Sequence, residues 1–329
     1  MNLKAVWGLL QETFSEWNKD KASRLAAALA YYTVFSLAPL LIIVIAIAGS
    51  VFGEEAARGE IVKQIQGLVG KDGAEFIQTA IENASKPAAG TIASIISIVA
   101  LLFGASGIFA ELQDALNTVW EVQPKPERGL LNIIRNRFLS FTMVLGVGFL
   151  LLVSLVVTAT LSALVNFVGD VLPGIDALWQ LVNFILSFVV TTVLFGLIYK
   201  VLPDVKIAWS DVWIGATITS LLFSIGRFLL GQYLGNSSFG STYGAAGSLV
   251  VILAWVFYAA QILFFGAEFT QVYARRYGSQ IVPAKNAVPL TNEARAEQGM
   301  INKPSPKSSD RLSRRFIRSK HSQRKRNNR

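Results

Sequence analysis

The chain has 329 residues, 53% of them apolar and 16% charged, with a mean hydropathy of +0.48 and a net charge of +9. Soluble domains carry about 25% charged residues, so this composition excludes an ordinary soluble domain and points to a polytopic membrane protein. Without cysteine the chain has no disulfide, thiolate metal site or cysteine nucleophile, and its one histidine, His321, lies in a polar tail, away from any metal site or Ser-His triad.

Residues 1–24 lack the compact apolar core of a secretory signal. Leu3, Val6, Trp7, Leu10, Phe14 and Trp17 recur at helical spacing with polar residues between them, which predicts an amphipathic helix. Two placements suit it: in the membrane interface, or packed on the cytoplasmic ends of a bundle. Leu25 to Gly53 carries no charge and gives a first membrane span over 29–52. Pro39 within it removes a backbone donor and crowds the Phe35 carbonyl, so a kink is expected and Pro39 is a candidate hinge. The polar insertion 54–87 predicts two short amphipathic helices in an external loop, with Ile61, Ile65 and Leu68 on one and Ile77, Ala80, Ile81 and Ala84 on the other. Asp72 followed by Glu75 resembles a helix N-cap with its reciprocal acid.

Further uncharged runs at 87–110, 138–169, 177–199, 212–235 (interrupted by Arg227) and 228–267 bring the total to six spans. The last helix reads Gly244 to Phe269. The expected fold is therefore all-α, with a six-helix membrane domain over 25–276. Lys and Arg placement orients it: with both termini cytoplasmic, 25 basic residues lie inside and 4 outside. Residues 277–329 hold 13 Lys/Arg against 3 Asp/Glu and lose apolar periodicity, so they read as a basic disordered cytoplasmic tail. Such a tail suits anionic lipid headgroups, at about 1 kcal/mol per basic residue, nucleic acid without sequence preference, or simple reinforcement of topology.

Polar groups are costly inside a membrane, so their faces carry information. Ala254, Tyr258, Gln261, Phe265 and Glu268 share one face of the last span. The second span has a stripe of Ser97, Ala100, Gly104, Gly107, Glu111, Asp114 and Asn117; the fourth has Gln180, Asn183, Ser187 and Thr191. In the fifth, Thr217, Ser220, Ser224, Arg227, Gly231 and Gly235 follow the same spacing, which directs Arg227 toward the bundle interior as part of an anion or headgroup site. The alternative for the small residues is close helix approach. Glu268, Glu111, Asp114 and Arg24 group near the cytoplasmic helix ends, where several acids against few bases leave one carboxylate able to change protonation. Arg227, Glu268, Glu111, Asp114, Arg24, Tyr258, Gln261 and Asn183 are the candidate substrate or ion pathway.

The segments RLAAALAYYTVFSLAPLLIIV (24–44), GASGIFAELQDALNTVW (104–120), IGRFLLGQYL (225–234) and STYGAAGSLVVILAWVFYAAQILFFGAEF (241–269) together resemble the YihY/BrkB family of bacterial inner-membrane proteins. The resemblance covers about residues 20–275 and implies six helices with cytoplasmic termini. It further implies a link to virulence and a role in transport or lipid movement. It does not extend to the basic tail, and no nuclease carboxylate cluster supports the family's older ribonuclease label.

Three functions stand against one another. One is a transporter or flippase for an anionic solute or lipid; another is a membrane scaffold whose tail recruits anionic lipid or a cytoplasmic partner. The third, an intramembrane enzyme, lacks an activated nucleophile or paired carboxylates at one depth. No G-x-x-x-x-G-K loop is present, so nucleotide hydrolysis by this chain is not expected, and neither is a cofactor, a metal or a specific nucleic-acid partner.

Overall fold

The computed structural model of the chain describes residues 3–84, 91–125, 176–235, 245–279 and 281–300. Helices α1 (Leu3–Lys19), α2 (Ala22–Phe52), α3 (Glu54–Ala84) and α4 (Thr91–Val119) are followed by strand β1 (Val122–Pro124). Helix α5 (Asp176–Val201), strand β2 (Val205–Lys206) and helices α6 (Trp209–Gly235) and α7 (Ala245–Tyr277) continue the chain. Strands β3 (Val282–Pro283) and β4 (Ala287–Pro289) and helix α8 (Asn292–Glu297) complete it. Among the described residues five helical stretches are long and apolar enough to cross a bilayer: 22–50, 99–119, 184–201, 209–230 and 247–277. The expected span at 138–169 lies outside the described residues, as does the tail beyond residue 300.

Helix α2 runs unbroken through Pro39, with no interruption at the expected kink. The pyrrolidine faces α4, where Gly104 leaves room: a Cβ there would come within 3.0 Å of Pro39 Cγ. One turn on, a Cβ at Gly107 would come within 3.2 Å of Ser36 Oγ. The two glycines therefore let α2 and α4 approach closely. The second span reaches further than the apolar run suggests, to Val119, because Leu112, Ala115, Leu116 and Val119 are buried in the same cluster as Ala22, Ala26 and Leu29.

The 54–84 insertion is helical throughout except at Gly70, whose φ of 79° and ψ of 177° break it into two arms. Ile61 and Val69 from one arm and Ile77 and Ile81 from the other pack on Leu41, Val44 and Ile45 of α2 and Ile252 of α7. The expected pair of amphipathic helices is present, and it caps this end of α2 and α7.

The opposite end, here called basal, carries the four strands, a small departure from an all-α architecture. β1 pairs antiparallel with β4, Gln123 opposite Val288, and β2 with β3, Lys206 opposite Val282. Residues 281–289 thus form a strap that fastens the loop after α4 and the loop between α5 and α6. The reading of everything after residue 277 as disordered is corrected at this point. Backbone pairing needs no apolar periodicity, so the composition of 278–300 gave no sign of it. Beyond Pro289 a separate compact unit begins, in which the Thr291 hydroxyl accepts the Ala294 N–H (3.2 Å) and caps α8.

Candidate functional site

Helices α6 and α7 run antiparallel and interlock through glycines set against hydroxyls. A Cβ on Gly215 would overlap Thr270, one on Gly266 would overlap Thr219, and one on Gly226 would overlap the Tyr258 hydroxyl. Each threonine bonds back to the glycine of its own helix: Thr219 Oγ1 to the Gly215 carbonyl (2.7 Å) and Thr270 Oγ1 to the Gly266 carbonyl (2.6 Å). Two Gly-x-x-x-Thr segments, 215–219 and 266–270, therefore face each other head to tail. Tyr199 of α5 closes the seam, its hydroxyl donating to the Leu263 carbonyl (2.7 Å) and lying 3.0 Å from Thr219 Oγ1. Thr219, Thr270 and Tyr199 are fully buried, and all three hydroxyls are satisfied.

Beside this seam an open cleft of about 360 Å³ lies between α1, α6 and α7. Phe14 and Trp17 of α1, stacked at 5.8 Å, form one wall; Leu222 and Ile225 of α6 form another. Tyr258, Gln261, Ile262 and Phe265 of α7 line the rest. Among the described residues the lining contains no charged side chain. Gln261 Nε2 donates to Ser23 Oγ (3.2 Å), while its Oε1 is buried with no hydrogen-bond partner. An acceptor left in that state costs about 1–3 kcal/mol.

The structure thus brings Tyr258, Gln261 and Phe265 together on one face, as their spacing predicts. Glu268, on the same face by spacing, is fully enclosed and does not line the cleft. Glu111 is half-buried, and Asp114 and Arg24 are exposed, so the three carboxylates of the expected inner group sit in three different environments. The side chain of Asn183 lies outside the described residues. Arg227 is a correction: α6 turns Ser220 and Gly226 inward and carries Arg227, Phe228 and Leu229 on its exposed surface. Lys200 stands 5.5 Å over the ring of Trp209, which stacks on Trp213, the arrangement of a membrane-interface anchor. Arg227 lies about 27 Å further along α6 at the helical rise, close to the full thickness of a bilayer core.

Periodicity did not reveal the polar hubs of the basal end. Asp204 exchanges two bonds with Asn117, accepting from Nδ2 (2.9 Å) and donating its N–H to Oδ1 (2.8 Å). It also accepts from Asn286 Nδ2 (2.8 Å), and its carbonyl accepts the Ala284 N–H (2.8 Å). Asp211 accepts the N–H and the hydroxyl of Ser279, both at 2.8 Å. Arg275 pairs with Glu12 at 2.6 Å and lies 3.8 Å from Glu16 and 3.9 Å from Glu121, while Arg276 pairs with the other oxygen of Glu12. These pairs hold α1 against α7, where Leu9 packs on Phe269 and Val272. The seam was missed as well, and the repeated Gly-x-x-x-Thr spacing is the signal that could have found it. Among the described residues no group of three Asp, Glu, His or Cys side chains is placed to hold a metal.

Long apolar helices, lipid-compatible outer faces and glycine-mediated crossings define a multi-pass membrane protein. The chain belongs to the family described as Virulence factor BrkB, which matches residues 13–291. Its relatives include a UPF0761 membrane protein of Teredinibacter turnerae, 26% identical over 291 residues, covering 84% of this chain and 64% of that protein. Another, from Alcanivorax borkumensis, is 26% identical over 270 residues and covers 81% and 60%. A third, from Photobacterium profundum, is 26% identical over 297 residues and covers 88% of both chains. The chain thus spans less than two thirds of the first two relatives' length. No solved structure matches it.

Proposed function

We propose that the chain is a transporter or flippase-like protein of the bacterial inner membrane that handles lipid, with both termini in the cytoplasm. The observation that carries this reading is the open cleft beside the α6–α7 seam. Its apolar walls and two polar groups suit an amphiphile better than a hydrated ion. Of the two cargoes that the sequence suggests, lipid suits the cleft better than an anionic solute, because its described lining is apolar and aromatic apart from Tyr258 and Gln261. The exposed Arg227 supports the same cargo, since a guanidinium on the surface of α6 can meet a headgroup phosphate. The 25-to-4 distribution of Lys and Arg supports cytoplasmic termini.

The test is purified protein in liposomes, scored in parallel for transbilayer movement of a fluorescent lipid and for anion flux. Lipid movement above protein-free liposomes is expected. Anion flux without lipid movement would favour the solute cargo. Neither activity, together with loss of a cellular phenotype when residues 301–329 are removed, would favour the scaffold.

A further inference from the structure

We infer that α1 lies in the plane of the membrane at the basal end, bound to the lipid of that leaflet through the face that carries Trp7 and Phe14. This placement holds whatever cargo the cleft takes, and it combines the two that the periodicity of residues 3–17 allows. Helix α1 is turned the wrong way round for a helix packed on a protein in water. Its inward face buries Leu9, Thr13, Glu16 and Asp20, and three of these four are polar. Glu12 and Glu16 meet Arg275 from that side, and Arg276 pairs with Glu12. The outward face carries Lys4, Trp7, Gln11 and Phe14 at spacings of three and four, with Val6 beside them. Trp7 is 63% exposed and Phe14 58%. In water such a helix buries its aromatic residues and turns its acids out. The reverse arrangement is stable where the outer solvent is hydrocarbon and headgroup.

Depth identifies what covers that face. Trp209 lies six residues before Gly215 and Arg276 six after Thr270, so the register that sets Gly215 against Thr270 brings Trp209 level with Arg276 and Trp213 level with Val272. Leu9 packs on Phe269 and Val272, and a Cβ on Gly8 would lie 3.6 Å from Arg276 Nη1. Helix α1 therefore crosses α7 at the level of Trp209 and Trp213, the aromatic anchor that Lys200 caps. Its outward face is also continuous with the lipid-facing side of α6. Phe14 stands across the cleft from Ile225, and Leu221 and Leu229 carry exposed hydrocarbon on from there. Lys4 at one end of α1 and Lys21 just beyond the other are exposed and can raise their amines to headgroup phosphates. A protein partner fits poorly: Val6, Trp7 and Phe14 fall far short of the roughly 800 Å² that each side of a stable complex buries.

The chain has no cysteine, so spin labels can be set singly in the full-length protein, held in nanodiscs of mixed neutral and anionic phospholipid. Trp7→Cys, Gln11→Cys and Phe14→Cys report the outward face, Leu221→Cys the hydrocarbon, and Lys285→Cys, exposed on the strap, the water. Each label is read by its collisions with oxygen, which concentrates in lipid, and with a nickel chelate, which stays in water. The oxygen-to-nickel ratio at positions 7 and 14 should lie severalfold above that at 285 and approach that at 221. Gln11→Cys keeps both aromatic residues in place, so it reads the same face if either of the other variants fails to fold. A ratio like that at 285 would put the face in water and overturn the inference. Few collisions with either agent would mean that protein covers it, which overturns the inference as well. Dipolar broadening between labels would then identify a second copy, and its absence another segment of this chain.

Discussion

Gly266→Ala puts the α6–α7 seam to its most direct test. The added methyl would overlap Thr219 Oγ1 and lie 2.9 Å from Thr219 Cβ and 2.6 Å from the Tyr199 hydroxyl. Ordinary contact for such a carbon begins near 3.4 Å, so the helices must part or Thr219 must rotate. Parting opens packing along Gly215–Thr270 as well. Rotation gives up the bond from Thr219 to the Gly215 carbonyl. Overpacking costs about 1–3 kcal/mol and the lost bond about 1 kcal/mol, so a loss of about 2–4 kcal/mol is expected. At roughly 2–4 °C per kcal/mol for a domain of this size, the melting temperature in detergent should fall by about 4–16 °C. Thr219→Ala removes the opposing hydroxyl and methyl, so the double variant should be more stable than the sum of the two single effects. A melting temperature for Gly266→Ala within a degree or so of the wild type, or strictly additive effects, would show that the helices do not meet at this separation.

Other consequences can be checked in the same preparations. The chain has no cysteine, so Gln123→Cys with Val288→Cys tests the strap cleanly. The pair should form a disulfide on mild oxidation, and none should form if residues 281–289 are free. Asn117→Asp replaces the amide that donates to Asp204 with a second carboxylate; a loss of about 2–3 kcal/mol is expected, read as a lower melting temperature, and no change would dismiss Asp204 as a hub. Glu12→Ala leaves Arg275 and Arg276 without their nearest partner, so α1 should become more sensitive to protease and less affected by added salt than in the wild type. Arg227→Gln should leave stability within about 1 kcal/mol, because the side chain is exposed; a large loss would place it inside the bundle after all.

The sequence by itself determined the membrane class, the apolar spans now seen as α2, α4, α5, α6 and α7, the amphipathic α1 and α3, and the shared face of Tyr258, Gln261 and Phe265. These follow from composition and from one helix's periodicity, which are local properties of the chain. Tertiary structure alone decided which neighbour each face meets. Ser220 and Arg227 lie on one stripe by spacing, yet one is buried and the other exposed, since the face of α6 that meets α7 runs through Gly215, Thr219 and Gly226 rather than along that stripe. Nothing in the periodicity of either helix singles out Gly215 or Gly266; the antiparallel register sets each against a threonine of the other helix. The strap at 281–289 was invisible for a related reason: strand pairing is made by backbone groups that every residue carries. Its partners, Gln123 and Lys206, lie far away in the chain and come within reach only when the helices between them have packed.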